Sequence, residues 1–157
     1  MGRAPLAPPD MSKKMTTIIL KTPGEMHYLH KIRNFITGVA EESGISKLDL
    51  DKIELAADEA CANIIEHGYR ADDPDKNLTI RMDFDSERII LTISDQGKYF
   101  DPRTKKQIDL KELIAMKRDG GLGISLIQQT MDEIDYRATP EGQNELILTK
   151  YLRNSSH

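Results

Sequence analysis

The spacing of the apolar residues changes between residues 67 and 78, and this change restricts the folds that the chain can adopt. Between residues 25 and 67, apolar side chains recur at helical spacing, with a break at Ser43-Gly44. Between residues 78 and 93 they alternate with polar side chains, which is typical of half-buried strands. This order predicts two consecutive helices followed by an antiparallel pair of strands.

The two predicted helices are defined by their ends and by their apolar stripes. The first begins at Glu25, and Gly44 is its stop signal. The second is capped by Asp49 or Asp51 and ends near His67-Gly68. The stripes consist of Met26, Leu29, Ile32, Phe35, Ile36 and Val39 in the first helix and of Ile53, Ala57, Ala60 and Ile64 in the second.

Strands account for most of the remaining predicted structure. They are expected at Thr16–Leu20, at 78–84 and 89–95 around a tight turn, and at Ile134–Ala138 and Glu145–Leu152 around a turn at 140–142. A long polar connection over 96–119, with a short helix near 110–116, precedes a helix at Leu122–Met131. These elements predict a two-layer α/β sandwich whose sheet is mixed, mostly antiparallel, and covered on one face by helices.

Length, charge and cysteine content limit the classes of protein to which the chain can belong. A chain of 157 residues fits one domain, expected over 15–152, with a disordered Pro-rich segment before it (1–14) and a short tail after it (153–157). The formal net charge of -4 argues against direct nucleic-acid binding. No apolar run approaches the ~20 residues that span a bilayer. Cys61 is the only cysteine, which excludes an intramolecular disulfide, and a cytoplasmic location is the default.

Glu59 and Asn63 lie four positions apart in the second predicted helix, so they share one face. Carboxylate and amide oxygens suit Mg²⁺, which takes only one or two protein oxygens beside phosphates. A carboxylate near a γ-phosphate can also orient or deprotonate an attacking hydroxyl. The alternative is a solvated polar helix face.

Asp95 stands where the second strand of the hairpin ends, two positions before Gly97. A carboxylate in this place can accept a hydrogen bond from the exocyclic amine of adenine, which guanine does not present there. Gly97 would allow the backbone to approach the base closely. The alternative is a turn, because Asp and Gly are common turn residues.

Three glycines, Gly120, Gly121 and Gly123, surround Leu122 directly before the predicted helix. Backbone N–H groups at such a turn can bind phosphate oxygens, and the helix dipole favours the anion. A flexible linker is the alternative. The stretch is not a P-loop, because Ile124-Ser125 replaces the required Lys-Ser/Thr pair, and no Rossmann strand–turn–helix unit surrounds it.

Other reactive side chains give weaker indications. His27 and His30 are three apart on the first helix, but no third metal ligand accompanies them. His67 is expected to cap the second helix or pack locally, and Cys61 is expected to be a small core residue.

Together these motifs resemble the nucleotide-binding boxes of the GHKL ATPases. The stretch 59–63 with 66–69 resembles the N box, 95–97 with 100–102 the G1 box, and 120–124 the G2 box. The resemblance extends over about residues 15–152 and is greatest to the anti-sigma-factor serine kinases of the RsbW and SpoIIAB type. The motifs specific to that branch are Glu-Ala-Cys-x-Asn, Phe-Asp-Pro and Gly-Gly-Leu-Gly, with Met131-Asp132-Glu133 after the helix.

The resemblance implies the Bergerat ATP-binding fold and a set of roles. Asn63 is implied as the magnesium ligand, Glu59 as the general base and Asp95 as the adenine ligand. The further nucleotide-binding positions implied are Gly97, Phe100, Gly120, Gly121, Leu122 and Gly123.

The implied activity is that of an anti-sigma factor and ATP-dependent protein serine kinase. Its partners would be a sigma factor and a STAS-domain anti-sigma-factor antagonist, which it would phosphorylate, and the family implies a homodimer. The alternative is a non-catalytic ATP-binding partner-switching regulator. Retention of Glu59 favours the kinase, because nucleotide binding alone needs no base.

Overall fold

The computed structural model describes residues 15–67, 76–95, 127–138 and 143–152. Within them the chain forms a five-stranded sheet and two long helices. The elements are β1 (Thr16–Pro23), a 3₁₀ turn (Met26–Tyr28), α1 (Leu29–Glu42), α2 (Lys47–His67), β2 (Asn77–Phe84), β3 (Arg88–Asp95), β4 (Glu133–Ala138) and β5 (Asn144–Tyr151), and residues 127–130 are helical. The predicted α/β sandwich and its hairpin are confirmed.

The strand order in the sheet is β1-β2-β3-β5-β4. All four pairings between the described strands are antiparallel, where the sequence predicted a mixed, mostly antiparallel sheet. The last strand β5 inserts between β3 and β4, so β3 and β4 run in the same direction and are not paired with each other. β1 continues to Pro23, beyond the predicted end at Leu20, because Pro is tolerated on an edge strand.

The helix ends agree with the sequence at one junction and correct it at another. Gly44 adopts a positive φ of 78° directly after α1, the backbone conformation expected of a glycine stop signal. The cap of α2 was predicted at Asp49 or Asp51 and is instead Ser46, whose Oγ accepts the backbone N–H of Asp49 at 3.2 Å. Asp49 lies inside the first turn and is buried, whereas Asp51 pairs with Lys47 at the surface.

The core lies between the two helices and one face of the sheet. Both predicted stripes are confirmed except at Met26, which is 46% exposed in the 3₁₀ turn before α1. The fully buried members include Ile32, Ile36, Ile53, Leu78, Ile80, Met82, Ile89, Leu91, Ile93 and Leu148. Cys61 is buried among them, as predicted, and burial together with the charge of Asp58 raises the pKa of its thiol to about 12.

Several predicted features lie outside the described residues: the terminal segments 1–14 and 153–157, the connection over 96–119, the first part of the helix at 122–131, and the turn at 140–142. The described end of that helix, 127–130, is helical as predicted. In the part of the chain that the structure describes, no helix is long and apolar enough to cross a membrane.

Candidate functional site

Asp95 is the last residue of β3 and is only 5% exposed. The sheet register places it opposite Asn144, the first residue of β5. The Nδ2 atom of Asn144 donates a hydrogen bond to Oδ1 of Asp95 at 3.2 Å, and Asn144 is itself 4% exposed. The carboxylate is therefore held in a defined orientation at this end of the sheet, because a buried carboxylate is stable only with such donors.

Tyr136 on β4 belongs to the same end of the sheet. Burial, and to a smaller extent the negative charge of Asp95, raises the pKa of its phenol to about 12. Tyr136 is therefore a neutral phenol at physiological pH. The described neighbours of the Asp95 carboxylate are therefore a buried amide and a neutral phenol.

Glu59 and Asn63 lie in the second half of α2, and both are half-buried. Their spacing places them on one helix face, as predicted. The neighbouring face of α2 contacts α1. Arg33 Nε forms an ion pair with Asp58 Oδ2 at 2.9 Å, and the Thr37 hydroxyl donates a hydrogen bond to Glu54 at 2.7 Å. These contacts fix the rotation of α2, and Glu59 follows Asp58 by about 100° around the helix axis.

The start of α2 lies over the start of β3. The Nζ atom of Lys150, on β5, is 4.0 Å from Oδ1 of Asp49 in the first turn of α2. Lys150 pairs with Ile89, the second residue of β3, and α2 also packs on β3. The helix α2 and the strand β3 therefore begin at the same end of the sheet.

The lengths of α2 and β3 can be compared from this shared starting point. Glu59 and Asn63 lie about 15 Å and 21 Å along the helix axis from Asp49, at 1.5 Å per residue. Asp95 lies about 20 Å along β3 from Ile89, at 3.3 Å per residue. These lengths are similar, so a helix α2 that runs along β3 carries its acid–amide pair toward the end of the sheet that holds Asp95.

The sheet and the helix α2 contribute different polar groups to the candidate site. The sheet end offers one oriented carboxylate, and the helix offers a carboxylate oxygen and an amide oxygen. These oxygens fit Mg²⁺, which usually takes few protein ligands and completes its octahedron with phosphates and water. Within the described ranges, no cluster of three or more His, Cys, Asp or Glu residues is arranged to hold a metal, so the remaining ligands would have to come from elsewhere.

The other predicted site residues lie outside the described residues. They are Gly97, Phe100, Gly120, Gly121, Leu122 and Gly123. In sequence, the first two follow Asp95 within five positions, and the glycine turn precedes the helical residues 127–130.

Sequence reasoning missed Asn144. Its side chain touches Asp95 across 49 positions of sequence, and only the pairing of β3 with β5 brings the two together. The sequence did contain an indication of this residue. Asn144 is an amide that follows the predicted turn at 140–142 and stands directly before the apolar alternation of β5.

Comparison with known proteins gives a consistent result. A family model described as the histidine kinase-like ATPase domain matches residues 22–150. The serine-protein kinase RsbW of Staphylococcus aureus strain MSSA476 is 30% identical over 147 residues, which cover 91% of this chain and 91% of that protein. RsbW of Bacillus licheniformis is 29% identical over 128 residues, covering 79% and 80% of the two chains.

Two solved structures share the fold. The crystal structure of the RsbU and RsbW domains of a Mycobacterium tuberculosis protein superposes with a TM-score of 0.61 at 15% identity, covering 88% of this chain and 33% of that one. The SiaB–SiaC complex of Pseudomonas aeruginosa superposes with a TM-score of 0.53 at 13% identity, covering 86% and 89%.

Proposed function

The chain belongs to the histidine kinase-like ATPase family and to its RsbW serine-protein kinases, and from this membership we propose a specific activity. It is an anti-sigma factor that uses ATP to phosphorylate a serine of a STAS-domain anti-sigma-factor antagonist. The observation that supports the proposal most is that α2 and β3 begin at the same end of the sheet, and that similar lengths separate this start from Glu59 and Asn63 on the helix and from Asp95 on the strand.

The adenine end of the proposed site is built on the sheet. Asp95 accepts a hydrogen bond from the exocyclic amine of adenine, and Asn144 holds the carboxylate in the required orientation. GTP is disfavoured because guanine presents a carbonyl oxygen where adenine presents the amine. A buried carboxylate that faces a carbonyl loses its hydrogen bond, at a cost of about 1–3 kcal/mol. Gly97 and Phe100 line the base.

The phosphate end is built on α2 and the glycine turn. Asn63 holds Mg²⁺, and Gly120, Gly121, Leu122 and Gly123 bind phosphate oxygens through the backbone. When bound, the metal neutralises charge on the β- and γ-phosphates and thereby favours transfer.

Glu59 is the general base of the proposed reaction. Its carboxylate accepts the proton of the substrate serine hydroxyl while the serine Oγ forms a bond to the γ-phosphorus. The bond between the γ-phosphorus and the bridging oxygen breaks, and ADP leaves with the electron pair. Such a base contributes about 10²–10⁴-fold to the rate.

We propose that the chain acts as a homodimer. The sheet face opposite the helices carries Ile19, which is 52% exposed, and the half-buried Ile90 and Ile147 in neighbouring strands. The register places these isoleucines on one face together with Thr92. A second copy would cover these isoleucines together with the Arg81–Asp83 ion pair, which lies on the same face in β2. Because its partners act in transcription, we also propose a cytoplasmic location.

The decisive experiment combines the purified protein with γ-labelled ATP, Mg²⁺ and candidate STAS-domain proteins of the same genome. Label on a serine of one candidate would establish the kinase and identify its antagonist. Glu59→Gln should bind ATP normally and lose transfer. Glu54→Gln is the matched control, because Glu54 lies on the same helix but accepts a hydrogen bond from Thr37 on α1.

Each failure has a separate meaning. ATP binding without transfer to any candidate would favour the non-catalytic partner-switching regulator. Equal transfer by Glu59→Gln and Glu54→Gln would remove Glu59 from the mechanism. Absence of ATP binding would contradict the proposed site as a whole.

A further inference from the structure

A buried ionic cluster lies at the end of the domain opposite Asp95. Its centre is Lys150, whose side chain is 5% exposed. The Nζ atom donates to the backbone carbonyl oxygen of Thr130 at 3.0 Å, and it lies 3.5 Å from Oδ2 of Asp132 and 4.0 Å from Oδ1 of Asp49. Asp49 is 2% exposed, whereas the side chain of Asp132 is 21% exposed and reaches solvent.

The cluster joins three elements that are distant in sequence. Asp49 belongs to the first turn of α2, Lys150 to β5, and Thr130 ends the helical residues 127–130. Carbonyl groups at a helix C-terminus have no partner within the helix and favour a cation, which Lys150 supplies. Asp132 additionally accepts the backbone N–H of Tyr151 at 2.7 Å, which ties the same junction to β5.

Stability alone does not explain such a cluster. Charges taken out of water lose hydration, and a well-packed apolar side chain of similar size often stabilises a protein as much or more. A buried ammonium group with one hydrogen bond at 3.0 Å and two carboxylate oxygens within 4.0 Å instead has few allowed positions, so it restricts the relative positions of the elements that it joins. Here it fixes where α2 begins relative to the β3–β5 ladder.

We propose that Lys150 is a positioning residue for phosphoryl transfer, an inference that rests on the proposed function. Its contact with Asp49 sets the axial position of α2, and this position determines where Glu59 and Asn63 stand relative to Asp95. A shift of one residue along α2 would move these side chains about 1.5 Å and turn them about 100°. Misplacement of about 1 Å can cost 10²-fold in rate.

The adenine end is independent of the cluster. Asp95 and Asn144 are held by the hydrogen-bonded ladder of β3 and β5 and by their own hydrogen bond. Loss of Lys150 should therefore impair the functions of α2, namely metal-dependent ATP binding and transfer, and spare binding of ATP without metal.

The test compares native protein with Lys150→Met and with the double variant Lys150→Met/Asp49→Leu. Methionine keeps the unbranched stem and removes the charge, while the second substitution removes the carboxylate that the first leaves buried and uncompensated. Lys47→Met is the matched control, because Lys47 belongs to the same helix start but is 79% exposed. Thermal unfolding, ATP affinity with and without Mg²⁺, and the transfer rate at saturating ATP are measured for each.

The expected result separates positioning from folding. Lys150→Met should keep its metal-free ATP affinity, lose about 10–100-fold of the Mg²⁺-dependent gain in affinity, and transfer about 100-fold more slowly. The double variant should recover thermal stability but not transfer, and Lys47→Met should resemble the native protein. If Lys150→Met does not fold, the double variant still provides the comparison.

Three outcomes would overturn the inference: full transfer by Lys150→Met, transfer restored together with stability in the double variant, or equal losses of affinity with and without Mg²⁺. A native protein that binds ATP with Mg²⁺ but transfers nothing would instead contradict the proposed kinase. The Mg²⁺-dependent affinity of the variants would then decide the role of Lys150 alone.

Discussion

Replacement of Asn144 by leucine tests the structural basis of the proposed adenine site. Leucine has the same number of side-chain heavy atoms as asparagine and branches at the same carbon, so Asn144→Leu removes the donor to Asp95 without opening a cavity. The lost bond is 3.2 Å long, connects two side chains that are each at most 5% exposed, and involves an ionisable acceptor. A hydrogen bond to a charged group contributes about 1.5–3 kcal/mol, and solvent cannot replace it here.

This value gives two measurable effects. In a domain of this size about 1 kcal/mol lowers the melting temperature by about 2–4 °C, so calorimetry without nucleotide should show a decrease of about 3–12 °C. ATP affinity should also fall by about ten-fold, equivalent to about 1.4 kcal/mol, because Asp95 is no longer held toward the base. The transfer rate at saturating ATP should not change, because Asn144 contacts Asp95 at the proposed adenine end of the site.

The control is Asn34→Leu, the same chemical change at an exposed position of α1. It should leave both the melting temperature and ATP affinity close to native. A lower melting temperature for Asn144→Leu with native ATP affinity would refute the link between Asn144 and nucleotide binding. No change in either quantity would refute the energetic argument itself.

Three further predictions use other parts of the structure. Asp95→Asn should lower ATP affinity by about 10–100-fold and weaken the preference for ATP over GTP, because an amide can donate a hydrogen bond to the guanine carbonyl. An unchanged preference in competition binding would contradict the role of Asp95 in adenine recognition. Ile147→Lys should shift a homodimer toward monomer in analytical ultracentrifugation, whereas Met26→Lys in the 3₁₀ turn should not. Cys61 should resist iodoacetamide at pH 8 in the folded protein and react fully in denaturant. Because the pKa of this thiol is raised to about 12 in the fold, the unfolded chain loses the proton first, and stability should decline as pH rises above about 8.5; Cys61→Ala should reduce this decline.

Local sequence patterns predicted most of the elements because their causes are local. Alternation at 78–84 and 89–95 predicted the β2–β3 hairpin, and in its turn Asp85 Oδ1 accepts the backbone N–H groups of Glu87 and Arg88. Gly44 predicted the end of α1 because its positive φ is costly for other residues. The cap of α2 was predicted wrongly, since Asp49 is used inside the fold, where it faces Lys150, and Ser46 caps the helix.

In the candidate site, too, local sequence patterns identified some residues, whereas a residue that depends on long-range pairing was missed. Glu59, Asn63 and Asp95 were identified from residue type, spacing and position at the end of an element, and their roles remain predictions. Asn144 was not identified, because its partner is 49 positions away and no local rule specifies that β5 inserts beside β3.

The sequence by itself determined the family, the elements and the residues suited to nucleotide chemistry, because periodicity and motif spacing depend on neighbours along the chain. Only the tertiary structure decided that β5 lies between β3 and β4, that Asn144 orients Asp95, and that Lys150 joins α2 to the sheet. Lys150 is in phase with Leu148, which placed it on the inner face of β5, but its burial depends on acceptors from two other elements. Such contacts arise from long-range packing, in which the stability of each group depends on partners that the chain brings together only when it folds.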